Sequence, residues 1–127
     1  MTKQEALSQL RQAKSAHIRW RAFVQAMIAG LVVEAGKAPT HHKDCDFGQW
    51  FYRDGFQTFG HWRIYQDVEY AHELLHEVYS LLYQAREAGD HAGAERMAEQ
   101  MTGISHSLLE LMDLFEDEIR AAEQDGF

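Results

Sequence analysis

Residues Tyr65 to Ala88 read YQDVEYAHELLHEVYSLLYQAREA, and the periodicity of this stretch decides the fold. Val68, His72, Leu75, Tyr79 and Leu82 fall at helical spacing on one inward line, as an amphipathic helix requires. His72 and His76, four apart, lie one turn above the other and can bind a single ion. Their neighbours Glu73 and Glu77 make this face mixed rather than plainly apolar, which suits a metal site better than a core.

The same rhythm extends on both sides. From Thr2 to Ala35 the pattern predicts one long helix, with Leu7, Leu10, Val24, Ile28 and Leu31 on its apolar stripe. Lys14, His17 and Arg21 occupy the intervening seam positions, and Gly36 and Pro39 stop the helix. After the Gly89-Asp90 turn, a last helix from about Ala92 to Ala122 carries Met97, Met101, Ile104, Leu108, Leu111, Phe115 and Ile119 inward. Its methionines read as flexible core filling. Asp44 reads as the N-cap of a short helix covering Cys45 to Tyr52, with Phe47, Trp50 and Phe51 packing it onto the rest. Asp54-Gly55 and Gly60 punctuate a loop before the Tyr65 helix. The expected fold class is all-α, a four-helix-type bundle of three long helices and a short one that carries the cysteine.

A chain of 127 residues is expected to form a single domain over residues 1–127, with one hydrophobic core. Its composition, 46% hydrophobic with one proline, suits a helical globular protein rather than a disordered one. The net charge of −8 is uneven: residues 1–43 hold seven basic and two acidic groups, residues 44–127 five and eighteen. This acidic majority argues against a nucleic-acid partner, which needs a basic patch. The asymmetry reads as complementary helix packing within the bundle or between copies. The longest apolar run, Ala26 to Val33, is too short for a bilayer, so no membrane partner is expected. No secretory signal reads in the first residues. One cysteine forbids an internal disulfide and points to a reducing, cytoplasmic setting.

That cysteine, Cys45, lies in Asp44-Cys45-Asp46-Phe47-Gly48-Gln49-Trp50. One thiol and three imidazoles, from His17, Cys45, His72 and His76, could close a tetrahedral Zn2+ site. Taken alone, His17 on an inward stripe also fits a hydrogen-bonded core histidine, and Cys45 a small buried hydrophobe. A thiol in the first turn of a helix feels the positive end of the dipole, which lowers its pKa and favours the thiolate zinc needs. Asp44, Asp46, Phe47, Gly48 and Trp50 are the residues expected to surround and pack it. The adjacent His41 and His42 read as solvated loop residues, and His91 and His106 as surface.

In these features the chain resembles the chemoreceptor zinc-binding (CZB) domain family. The resemblance rests on Ala16-His17 followed by Trp20, on Cys45-Asp46-Phe47-Gly48-Gln49-Trp50, and on His72 with His76, and it spans about Leu10 to Tyr83. It implies a zinc-binding regulatory domain of the kind carried by chemoreceptors and cyclic-di-GMP synthases. It also implies a Cys45 thiolate that responds to zinc level or to oxidants such as hypochlorous acid. A homodimer is expected from the family and from the apolar stripes carrying Leu7, Leu10 and Leu111. Output would pass to an unidentified signalling protein; the alternatives are a purely structural zinc module or a zinc buffer.

His72-Glu73-Leu74-Leu75-His76 also fits His-Glu-x-x-His, in which two histidines hold zinc and the glutamate activates water. A catalytic zinc keeps one position open for that water, whereas His17 and Cys45 would fill the remaining positions. The sequence therefore favours a non-enzymatic reading.

Overall fold

The computed structural model describes residues 1–31 and 41–122. Three long helices dominate: α1 (Lys3–Ile28), α4 (Arg63–Glu87) and α5 (His91–Ala121). Between α1 and α4 runs a broken helical segment of α2 (Asp46–Trp50), a π-helical turn (Phe51–Gly55) and α3 (Phe56–Phe59). Among the described residues there is no strand, and the expected all-α bundle is what the chain forms.

Local chemistry sets most helix boundaries. Thr2 opens α1 with a reciprocal cap: its hydroxyl accepts from the Glu5 N–H at 3.1 Å, and its own N–H donates to the Glu5 carboxylate at 3.1 Å. The helix ends at Ile28, earlier than the expected Ala35. Gly30 adopts φ +90°, Gly30 N–H donates to Met27 C=O, and Leu31 N–H donates to Ala26 C=O, each at 3.0 Å. This paired closure stops a helix wherever glycine offers the left-handed conformation. The expected stop at Gly36 and Pro39 lies outside the described residues. Gly89, at φ +76°, closes α4 in the same manner, and the Asp90 carboxylate then accepts from Gly93 N–H at 2.9 Å to start α5.

The core follows a three-and-four alternation on each long helix. On α1 it takes Ala6, Leu10, Ala13, His17, Trp20 and Val24; on α5, Met101, Ser105, Leu108, Met112, Phe115 and Ile119. Leu10, His17 and Val24 hold their expected inward places, whereas Ala6, Ala13 and Trp20 take the positions expected of Leu7, Lys14 and Arg21. Leu31 is exposed, and Leu111 is half-buried beside a fully buried Met112. Leu10 is completely buried within the chain, which removes it from any surface offered to a second copy.

The charge asymmetry resolves between α1 and α5. The Lys14 ammonium bonds both Asp113 and Glu116, Glu116 also meets Arg120 at 3.3 Å, and Lys3 donates to the Arg120 carbonyl at 3.1 Å. The hydrogen bond to Asp113 holds the Lys14 pKa above its usual value.

The expected loop around Asp54-Gly55 is instead helical. Phe51 and Phe59 are fully buried, so both ends of this segment are drawn onto the core. The Phe51 ring stacks on Tyr65 at 4.0 Å, and the Tyr65 hydroxyl donates to the Phe51 carbonyl at 2.6 Å. A carbonyl served from outside the helix tolerates the wider π turn that Asp54 and Gly55 occupy.

Candidate metal centre

Each histidine of the site comes from the buried stripe of a long helix, His17 from α1 and His72 and His76 from α4. Cys45 arrives from the loop preceding α2. It is itself the N-cap of that helix, the role expected of Asp44: its Sγ accepts from Gly48 N–H at 3.2 Å. Asp44 remains exposed, its backbone tied to His41 and Gln49.

The first turn of α2 packs Cys45 down. Phe47 is buried, with its ring 4.6 Å from that of His72 and 4.9 Å from that of Phe51. Gly48 is buried, and a methyl group there would overlap the carbonyl oxygen of His42. Only glycine permits α2 to approach the preceding loop this closely. That carbonyl in turn accepts from the Cys45 thiol at 3.4 Å. Asp46 is exposed at the cavity rim, and Trp50 is half-buried against the aromatic cluster.

The ligand atoms of Cys45, His72 and His76, all buried, lie within 4.8 Å of one another. The Cys45 Sγ to His72 Nε2 distance is 3.3 Å, close to the edge of a tetrahedral zinc site, about 3.4–3.7 Å for bonds of roughly 2.0–2.3 Å. His17 lines the same cavity, of about 240 Å³, together with these three. It stands outside the trio, with Nε2 2.8 Å from the Ser105 hydroxyl of α5. Trp20 lines the cavity beside them, its ring 5.7 Å from His17, 4.9 Å from His76 and 5.0 Å from Tyr79.

Burial sets the protonation of this cluster. It pushes the His72 pKa down to about 2, with His76 and His17 adding to the effect, and His17 down to about 4, with Arg21 adding to it. Both rings are therefore neutral donors at pH 7. The thiol goes against expectation. Burial pushes Cys45 up to about 11, outweighing the N–H groups at the start of α2 that lower it. The helix terminus alone does not make a thiolate here; an adjacent cation would.

One thiol and neutral imidazoles converging in a buried cavity form the donor set that suits zinc. The Nδ1 of His72 is buried without a hydrogen-bond partner, an unserved polar atom in the chain as it stands.

Two residues near the site gave little sequence signal. His42, read as solvated, is half-buried, with its ring 6.2 Å from that of His72 and Nε2 3.6 Å from the Glu73 carboxylate. Ser105 gave none, since a serine on a helix carries no ligand signature. Glu73, the glutamate of the His-Glu-x-x-His pattern, is half-exposed and faces His42 rather than the trio.

Among the described residues, no helix is long and apolar enough to cross a membrane. No curated protein and no solved structure matches the chain. A comparison with protein families matches residues 17–82 to the chemoreceptor zinc-binding domain. That span contains His17, Cys45, His72 and His76 and covers just over half of the chain, which belongs to the chemoreceptor zinc-binding domain family.

Proposed function

We propose that this chain is a non-enzymatic regulatory domain that holds one zinc ion through Cys45, His72, His76 and His17, and that Cys45 is its reactive group. The observation that carries the reading is the buried meeting of Cys45, His72 and His76 from two distant segments. Bound zinc would keep the Cys45 sulfur deprotonated in a cavity that otherwise favours the thiol. The thiolate is the form that attacks hypochlorous acid: sulfur takes the OH group, chloride leaves, and a sulfenic acid, a poorer zinc ligand, remains. Cys45 caps a five-residue helix, so weakening its metal bond would loosen α2 first. With one cysteine in the chain, no internal disulfide can trap the product, and a reductant returns the thiol.

Family membership supports signalling through a partner protein, in a cytoplasmic setting. It also supports a homodimer. Tyr70 and Leu81 are exposed on one outer stripe of α4 with the half-buried Leu74 between them, and they replace Leu10 as the face offered to a second copy. The peptidase reading lacks support, because Glu73 points away from the trio.

The test is zinc content and the mass of Cys45 before and after stoichiometric hypochlorous acid. The expected outcome is one zinc per chain, lost as Cys45 gains oxygen and regained after reduction. Oxidation of methionines with Cys45 intact would leave a structural zinc site and end the sensing reading.

A further inference from the structure

Ser105 lies on α5, beyond residues 17–82 that match the family. It is one of the few buried polar side chains among the described residues, 2% exposed, and its hydroxyl stands 2.8 Å from His17 Nε2. The contact joins residues 88 apart in sequence. His17 makes no other hydrogen bond among the described residues, so Nδ1 is the ring's one free donor atom.

We propose that Ser105 is a positioning residue for the metal centre: its hydroxyl accepts the Nε2 proton of His17 and leaves Nδ1 to bind the ion. The inference rests on the zinc reading of the site and adds to it a residue from outside the matched span. A neutral imidazole carries one proton, and whichever nitrogen holds it cannot bind metal. A metal-bound imidazole is the neutral form. Binding through Nε2 would break the Ser105 contact and leave a buried hydroxyl without its partner, whereas binding through Nδ1 preserves it. Metal-bound histidines generally give their second N–H to such an outer acceptor, and loss of the acceptor typically lowers metal affinity about 10–100-fold.

The arrangement also decides what the metal is attached to. Cys45 belongs to the α2 loop, His72 and His76 belong to α4, and through His17 and Ser105 the fourth ligand is fixed to both α1 and α5. Ser105 further lines a cavity of about 240 Å³ between α1 and α5, beside Val24, Ile28 and Met101. A change at His17 is therefore felt along the seam between α1 and α5.

The experiment labels the histidines of the full chain with ¹⁵N and records long-range ¹H–¹⁵N correlations with and without zinc, assigning His17 from a His17→Gln variant. Metal on Nδ1 and a proton on Nε2 are expected for His17. Ser105→Ala is expected to lower zinc affinity about 10–100-fold against a competing chelator. Thermal unfolding of its metal-free form serves as the control for a merely structural effect. Metal on Nε2 of His17 overturns the proposal, and so does wild-type affinity in Ser105→Ala. A His17 ring unmoved by zinc, with binding still lost in Cys45→Ala and His76→Ala, overturns it and leaves zinc held by Cys45, His72 and His76 without His17. Failure of the wild-type chain to take up zinc overturns both.

Discussion

A single methyl group at residue 48 is expected to damage both the fold and the metal centre. In Gly48→Ala the added carbon overlaps the His42 carbonyl oxygen and comes within 3.1 Å of the His42 carbonyl carbon and of Lys43 Cα. All three are backbone atoms, so no rotamer change relieves the contact. The loop must retreat by at least about 1.3 Å to reach ordinary van der Waals separation. Overpacking of this kind costs about 1–3 kcal/mol, or roughly 4–12 °C in melting temperature for a domain of this size. The same loop carries the oxygen that accepts from the Cys45 thiol, and Gly48 N–H caps the sulfur. Metal–ligand distances tolerate only about 0.2 Å, so zinc affinity should fall about 10–100-fold. Gly103→Ala supplies the contrast. It lies exposed in α5 with nothing within 4 Å of the new carbon, and it should gain about 0.5–1 kcal/mol by stiffening the helix. Thermal unfolding and chelator competition read both variants. Wild-type melting and zinc affinity in Gly48→Ala would refute the steric argument.

Other consequences are as concrete. The metal-free chain should lose stability as pH falls below about 6.5. There the unfolded histidines take protons, while His72 and His17, lowered to about 2 and about 4, do not. At pH 5.5 the two together cost about 3 kcal/mol relative to pH 8, so urea midpoints that do not change between these pH values would contradict their burial as neutral rings. Tyr65→Phe leaves the buried Phe51 carbonyl without its 2.6 Å donor. It should destabilise the chain by about 1–3 kcal/mol in urea titration, and an unchanged midpoint would mean that the π turn needs no support. Light scattering at micromolar concentration should give twice the chain mass, falling to the monomer in Leu81→Asp; a wild-type monomer argues against the α4 face.

The long helices were legible because each carries a repeating apolar face, and that signal survives a small error of phase. Phase itself was harder to read. At Lys14 and Arg21 a long side chain can lie along the seam with its charge at the edge, so the inward position one residue earlier, Ala13 or Trp20, could not be separated from sequence. The end of α1 was missed because apolar residues continue past Ile28, whereas the backbone obeys Gly30. Asp44 and Cys45 could both cap α2, and only the burial of Phe47 and Gly48 decides between them. Cys45, His72 and His76 were readable as donors by residue type. Ser105 and the His42 carbonyl were not, because a hydroxyl or a peptide oxygen acquires its role from a partner supplied by the folded chain.

The tight turn at Gly89-Asp90 has a kinetic consequence. It joins α4 to α5, which pack against each other along their length, so their mutual contacts close a short loop and form at little entropic cost. α1 packs mainly on α5 and α2 and is fixed by contacts from the opposite end of the chain, such as Lys14 with Glu116. Amide hydrogens in the α4–α5 hairpin should therefore exchange last, as one slow cooperative unit, with those of α1 and α2 exchanging earlier. A chelator should widen that gap by speeding exchange around His17 and Cys45 while the hairpin keeps its protection.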